Sequence, residues 1–301
     1  MHEQSADNSG KDVNDDGRAS VIVDSEMALA SDGTRLFVSE HGQGDDVLFI
    51  PGLGYAGWCW ERQVGPISEF ARMLAMDNRG VGHSDKPRNR YSIEQMADDA
   101  YEVLRQKARG PAHVVGTSMG GYIAQSLALR HPDVVRSLIL VSTTSGGEGC
   151  TPVPDETLRC WIGASGLSPA EFARATMPMS FTPGWARQHP EEFEELLALR
   201  LHASTPTATW RLQFEASAVF LHDGLPQGDI NRPITIVHGT ADRVVPYANV
   251  AHLERRHPHA SVITLDGAGH LCWIERPDVF NDIVRTAVSA TGNEDLGNTF
   301  R

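Results

Sequence analysis

The residues that could do chemistry centre on Val114-Val115-Gly116-Thr117-Ser118-Met119-Gly120-Gly121. Residues 112–115 are compact and mostly apolar, as a buried central strand requires, and 122–129 repeat apolar residues at helical spacing up to Arg130-His131-Pro132. Ser118 therefore falls on a strand-to-helix corner within a G-x-S-x-G pattern. Gly116 and Gly120 leave room for neighbouring segments, and the tight corner projects the serine hydroxyl outward. A helix starting near Met119 aims free N–H groups and the positive end of its dipole at the same spot, which suits an oxyanion. A serine hydroxyl is a weak nucleophile until a base takes its proton, and that base works best beside a carboxylate that fixes its tautomer. The chain must then supply a histidine and an acid.

Thirteen histidines compete for the first role. His270 ends the flexible run Gly267-Ala268-Gly269-His270, just after a strand expected over 261–265. His252, His257 and His259 stand at a charged helix end and read as solvated, with Pro258 breaking any regular metal-ligand spacing. His113 and His238 belong to strands and read as structural, while His83 stays open as a residue lining the pocket. Among acids, Asp242 lies in the loop 238–246 after a strand expected over 233–237; Glu148, after the strand 137–141, is the alternative, and Asp223 and Asp229 lie farther off. An oxyanion needs two donors. The Met119 N–H follows the serine directly, and Phe49-Ile50-Pro51-Gly52-Leu53-Gly54 offers the second at Leu53, with Gly52 and Gly54 letting the backbone approach a substrate.

The elements that must position these residues alternate along the chain. A hairpin is expected from 27–30 and 34–39 around Ser31-Asp32-Gly33, then strand 46–50, helix 58–70, strand 72–76, helix 92–108, the central strand, helix 119–130 and strand 137–141. After an interruption the alternation resumes with strand 233–237, helix 247–257, strand 261–265 and helix 277–290. This order predicts an α/β fold with a mostly parallel sheet flanked by helices, whose ligands gather at the carboxyl ends of the strands. The core is expected over 21–145 and 232–291, with a helical cap over 146–231, a disordered tail over 1–20 and a loose tail over 292–301. The cap carries amphipathic pieces at 169–176, 190–201 and 207–220, and many bulky apolar side chains. Met177, Met179 and Phe181 are expected to roof the pocket, because Pro178 and Pro183 keep that piece out of regular helix.

Whole-chain properties narrow the function classes. Thirty-nine acidic against 26 basic residues give a net charge of −13, which argues against nucleic acid or an anionic membrane as partner. No apolar run reaches the roughly eighteen residues a membrane span needs, and the N-terminus lacks a signal-peptide core, so a soluble cytoplasmic protein is expected. Cys59, Cys150, Cys160 and Cys272 are scattered and read as free thiols.

The Pro51–Gly54 loop, Asp77-Asn78-Arg79-Gly80-Val81-Gly82-His83-Ser84, the Ser118 corner, the Asp242 loop and the Gly269-His270 pair together make the chain resemble an α/β-hydrolase fold protein. The likeness is to the lid-bearing esterase, C–C hydrolase and cofactor-free haloperoxidase type, over roughly 27–290. One departure is Pro51, where that family commonly has histidine before the oxyanion-loop glycine. The resemblance implies a chain order of serine, acid, histidine, hence Ser118, Asp242 and His270, with the N–H groups of Leu53 and Met119 as oxyanion hole. It implies a carboxylic-ester hydrolase acting on a small, fairly apolar substrate through an acyl-serine. Hydrolysis of a C–C bond, lactone or thioester by the same triad is the alternative, as is a low-turnover binding or lyase-type member. Relatives that use an aspartate at this corner, the haloalkane dehalogenases and epoxide hydrolases, are excluded by Ser118. Neither metal nor organic cofactor is expected, since acyl transfer through serine needs neither.

Overall fold

The computed structural model describes residues 23–203 and 205–298. The tail expected over 1–20 lies outside them, as do the last three residues. Among the described residues eight strands form one sheet in the order β1-β2-β4-β3-β5-β6-β7-β8. These are β1 (Val23–Leu29), β2 (Arg35–Gly42), β3 (Asp46–Ile50), β4 (Arg72–Met76), β5 (Ala112–Thr117), β6 (Val135–Val141), β7 (Ile234–Gly239) and β8 (Ser261–Leu265). β2 runs antiparallel to both β1 and β4, and every pair from β4 through β3 to β8 is parallel. The hairpin between β1 and β2 turns where expected, with Asp32 Oδ1 accepting the Thr34 N–H at 3.0 Å and Gly33 at a φ of 85°. The mostly parallel α/β sheet expected from the sequence is the fold observed.

The helices are α1 (Glu61–Ser68), α2 (Ile93–Lys107), α3 (Met119–Arg130), α4 (Asp155–Ala164), α5 (Pro169–Thr176), α6 (Trp185–Gln188), α7 (Pro190–His202), α8 (Thr207–Asp223), α9 (Asn249–Arg256), α10 (Cys272–Glu275) and α11 (Pro277–Asn298). Alternate residues of the central strands feed two cores, because successive side chains of a strand point to opposite faces. Leu48, Ile50 and Val114 join Ile93, Leu104 and Ile123 of α2 and α3 on one face. Val47, Phe49 and Val115 meet Ile67, Trp273 and Phe280 of α1, α10 and α11 on the other. Strands buried on both faces read as continuous apolar runs, which is why β3 and β5 were legible. α2 starts where its cap requires, the Ser92 hydroxyl accepting the Gln95 N–H at 3.2 Å.

Five helices differ from the sequence expectation. Residues Gly57–Trp60 form a 3-10 turn, so α1 is shorter than 58–70. α4, α6 and α10 were not anticipated, the last two being single turns. α11 runs on to Asn298, past both the helix end expected at Ala290 and the start of the loose tail expected at Gly292. Glycine lowers helix propensity by about 1 kcal/mol, yet it keeps the backbone hydrogen bonds that proline would remove. Among the described residues, no helix is long and apolar enough to cross a membrane.

The topology itself makes a crevice. The chain leaves β3 for β4 on one side and then returns to β5 on the other, so the loops after β3 and β5 part at the carboxyl edge of the sheet. The loop after β4 is pinned by a buried ion pair. Arg79 reaches Asp99 of α2 through Nε at 2.5 Å and Nη2 at 2.6 Å, with the two side chains only 2% and 4% exposed, and Nη1 reaches Asp32 at 2.9 Å. Removing one partner leaves a buried charge without compensation. Arg79→Met is expected to lower stability by about 3–5 kcal/mol, read as a fall in the urea midpoint with the slope unchanged.

Candidate active site

β5 ends at Thr117 and α3 begins at Met119, so the turn rests on one residue. Ser118 stands at φ 52° and ψ −119°, a conformation that costs a residue with a side chain about 1–3 kcal/mol. Three hydrogen bonds hold it there. Ser118 N–H donates to the Val141 carbonyl at 2.9 Å, while the Ser118 carbonyl accepts from Gly121 N–H at 2.9 Å and from Thr143 Oγ1 at 2.7 Å. The flanking glycines are required by close approach: a Cβ on Gly116 would strike the Gly120 carbonyl, and one on Gly120 the Ile50 carbonyl. α3 therefore begins hard against the ends of β5 and β3.

The loop after β3 reaches the same corner because Ile50 pairs with Gly116 in register. A Cβ on Gly52 would lie 3.2 Å from Ser118 Cβ and 3.7 Å from its Oγ, so a larger residue there would crowd Ser118 and glycine lets the loop pass without displacing it. The loop is held from outside: Asn78 Nδ2 donates to the Pro51 carbonyl at 3.0 Å, and Gly54 N–H donates to Gln213 Oε1 at 2.8 Å. Among the described residues, the N–H groups of Leu53 and Met119 donate to no acceptor, and both residues face the cavity beside Ser118.

β7 and β8 end side by side, with Gly239 opposite Leu265, and their loops carry Asp242 and His270. Asp242 is buried and accepts from four donors. Oδ1 takes the N–H groups of Val244 at 2.7 Å and Val245 at 2.9 Å, while Oδ2 faces His270 Nδ1 at 2.8 Å and His238 Nε2 at 3.3 Å. Burial alone would push this carboxyl up, but attraction to His270 and the hydrogen bonds from His238 and His270 outweigh it and hold its pKa at about 2. Facing a carboxylate, His270 Nδ1 carries its proton, which leaves Nε2 as the basic nitrogen of the neutral ring. His238 also donates Nε2–H to the Val245 carbonyl at 2.9 Å, so it is built into the acid's support.

Ser118 and His270 open onto one cavity of about 400 Å³. Of the residues singled out from the sequence, Gly52, Leu53, Ser118, Met119 and His270 line it, and Asp242 stands behind His270. Gly54 faces an adjoining pocket of about 110 Å³. Met177, Met179 and Phe181 do not line the cavity, contrary to expectation. Met177 and Phe181 are fully buried in the core, the Phe181 ring stacked on Trp185 at 4.2 Å, and the cavity wall is made instead by Thr176 and Ser180. The segment serves instead as a fastening. The carbonyls of Pro178 and Phe181 accept from Arg243 Nη2, the Ser180 carbonyl accepts from Leu271 N–H, and Thr182 bonds Glu275. His83 also misses the cavity, its exposed ring lying against Phe37. Glu148 is exposed and makes no bond to His270.

The walls that sequence reasoning missed include Tyr55, Tyr122 and Trp273. A signal was present on α8, where Trp210, Phe214, Ser217 and Leu221 repeat at helical spacing and line the cavity, while Thr209, Gln213, Ala216 and Phe220 repeat one residue earlier and are buried. Among the described residues, no cluster of three or more His, Cys, Asp or Glu side chains could hold a metal.

A family model described as alpha/beta hydrolase fold matches residues 46–277. The pimeloyl-acyl-carrier-protein methyl ester esterase of Aeromonas salmonicida is 27% identical over 254 residues, 82% of this chain and 97% of that one. Among solved structures, an N-acyl homoserine lactone degrading enzyme superposes with a TM-score of 0.71 at 28% identity, covering 86% of this chain and 99% of its own. An esterase from Rhodococcus sp. ECU1013 superposes at 0.76 with 24% identity, covering 89% and 99%, and is similar in fold.

A carboxyl held below its ordinary value stabilises the fold above that ordinary value and loses the contribution as pH falls through its folded pKa. For Asp242 the window runs from about pH 4 down to about 2. Asp242→Asn is therefore expected to be less stable than the natural protein by about 2 kcal/mol at pH 6, with the gap closing below pH 4 in urea titrations at each pH.

Proposed function

The chain belongs to the alpha/beta hydrolase fold family, and from that membership we propose that it is a serine hydrolase of carboxylic esters with Ser118, His270 and Asp242 as its triad. The observation that carries this reading is the corner itself: a serine at positive φ, on the wall of a cavity that it shares with a histidine whose far nitrogen is bonded to a buried carboxylate. In the proposed reaction His270 Nε2 takes the Ser118 proton as Oγ attacks the ester carbonyl, and the resulting oxyanion is held by the N–H groups of Leu53 and Met119. His270 then returns the proton to the departing alcohol. Water, deprotonated by His270, attacks the acyl-serine and frees the acid, restoring Ser118. Asp242 keeps His270 in the required tautomer and stabilises its charged form, for which its low pKa suits it.

A helical cap made of α4 to α8 supplies aromatic walls from Trp161, Phe172, Trp210 and Phe214, which favours a small substrate with an apolar portion. The esterase relative supports an ester as substrate. A second reading, a lactone, is favoured by the lactone-degrading neighbour at 28% identity and would use the same acyl-serine route.

Ser118→Ala is expected to lose three or more powers of ten in turnover of short aryl esters, by roughly the factor that removal of a triad nucleophile costs, while keeping its fold. A fluorophosphonate probe should label the natural protein and leave the variant unlabelled. Retention of half the rate in the variant would end this mechanism. Turnover of an N-acyl homoserine lactone without turnover of aryl esters would transfer the assignment to the lactone reading.

A further inference from the structure

The cavity beside Ser118 has an unusual charge layout for so acidic a chain. Among the described residues no Asp or Glu lines it or the adjoining pocket, and the one permanently charged side chain on its wall is Arg200 of α7. Four other arginines, by contrast, are held by the protein. Arg72 is bonded to Glu40 and Asp46, Arg79 to Asp32 and Asp99, Arg62 to Glu192 and the Ile274 carbonyl, and Arg243 to two backbone carbonyls. Among the described residues Arg200 makes no hydrogen bond and no ion pair; its guanidinium lies over the Tyr55 ring, 5.0 Å from the centroid. A guanidinium offers five N–H donors, and one that is half-buried beside aromatic walls has lost water without gaining acceptors. A ligand acceptor would complete it.

The position of Arg200 relates it to the reacting corner. Tyr55 N–H donates to the Gly52 carbonyl at 3.1 Å, and Gly52 lies against Ser118, so the charge stands just past the oxyanion loop. Arg200 also lines the adjoining pocket, together with Arg211 of α8 and the hydroxyl-bearing Thr205 and Thr207. Trp161, Phe172, Arg200 and Trp210 line both spaces, so the two adjoin at Arg200. A substrate whose ester is at Ser118 could therefore extend along apolar walls to a cation.

We propose that Arg200 is an anion-recognising residue of the substrate cavity, and that the natural substrate carries a carboxylate in addition to its hydrolysable ester. The planar fork of a guanidinium takes both oxygens of a carboxylate at once, whereas an amide or methyl ester in that place would leave its donors unmatched. This inference rests on the ester-hydrolase reading above and specifies its substrate class. The carboxylate could belong to the acyl or to the alcohol part.

The test compares substrates that differ only in that charge. On the acyl side these are 4-nitrophenyl hydrogen adipate and methyl 4-nitrophenyl adipate; on the alcohol side, 4-carboxyphenyl and 4-carbamoylphenyl hexanoate. The readout is the ratio of kcat/KM, charged over neutral, within each protein. The natural protein should prefer the charged member of one pair by roughly tenfold or more, and Arg200→Gln should bring that ratio to about one. Arg200→Lys keeps the charge without the fork and should retain part of the preference. A ratio near one in the natural protein for both pairs, or a ratio unchanged by Arg200→Gln, would overturn the proposal even with esterase activity present. If no ester is turned over, the ester-hydrolase reading fails and binding decides the subsite: monomethyl adipate, but not dimethyl adipate, should raise the melting temperature of Ser118→Ala, and Arg200→Gln should abolish the rise. Equal shifts by both compounds would overturn it.

Discussion

The site depends on holding one serine backbone at positive φ between a strand and a helix that nearly touch. Ser118 could relax to an ordinary conformation only if α3 moved away from β5 and β3, and the contacts at Gly116, Gly120 and Gly52 leave that movement no room on the near side. On the far side the hydrogen bonds from Thr143 and Gly121 to the Ser118 carbonyl, and from Ser118 N–H to β6, fix the peptide units before and after it. The strain is thus sustained by packing that the sheet requires anyway. Its consequence is that Met119 and Leu53, whose N–H groups have no acceptor in the described chain, line the same cavity as Ser118. Two unsatisfied donors are costly in a resting protein, and under the proposed mechanism they serve the negative oxygen that forms between them.

The legible part of the molecule was the part whose local sequence is constrained by backbone geometry. Gly116 and Gly120 mark the corner around Ser118 because a Cβ at either would strike backbone, and strands β3 to β5 can be read because burial on both faces removes polar residues from them. His270 and Asp242 were reachable through the order and loop position that the resemblance implied, and the fold brings them within 2.8 Å of each other. The cavity walls were less legible. Apolar bulk serves a core and a pocket equally, so Met177 and Phe181 could not be told from Trp161 and Trp210 by composition. What separates them is which face of its element each residue occupies, and around Pro178 the backbone has no long period to reveal that face. α10, a single turn carrying Trp273, has too few residues to show any period at all.

The misassigned segment has a physical role of its own. Between Pro178 and Thr182 the chain meets both loops that carry the proposed acid and base: Arg243, next to Asp242, donates to two of its carbonyls, and Leu271, next to His270, donates to a third. Glu275 closes the arrangement by accepting from Gly269 N–H and from the backbone and hydroxyl of Thr182. Met177–Ser180 is a single 3-10 turn that gives way to extended backbone at Phe181, so the Ser180 and Phe181 carbonyls are not taken up by a continuing helix, while the Pro178 carbonyl also accepts the Phe181 N–H. The region between β6 and β7 is therefore fastened to the carboxyl edge of the sheet at the very loops whose spacing sets the distance between His270 and Asp242.

Charge is distributed to the same end. Asp242 stands behind His270 and is surrounded by four donors, so little of its field reaches the cavity unbalanced. Among the described residues no Asp or Glu lines the space, and apolar and aromatic side chains make up much of its wall, which lowers the local dielectric around a charge there. In such a setting a single guanidinium dominates the potential. The net charge of −13 would by itself repel an anionic substrate from the surface, so an anion that enters must be drawn by a local feature strong enough to reverse that field at short range. Screening in salt confines the repulsion of the surface charges to about a Debye length of 8–10 Å, whereas a partly buried guanidinium is screened less. The same layout favours the oxyanion beside Ser118, because no negative side chain faces it across the cavity.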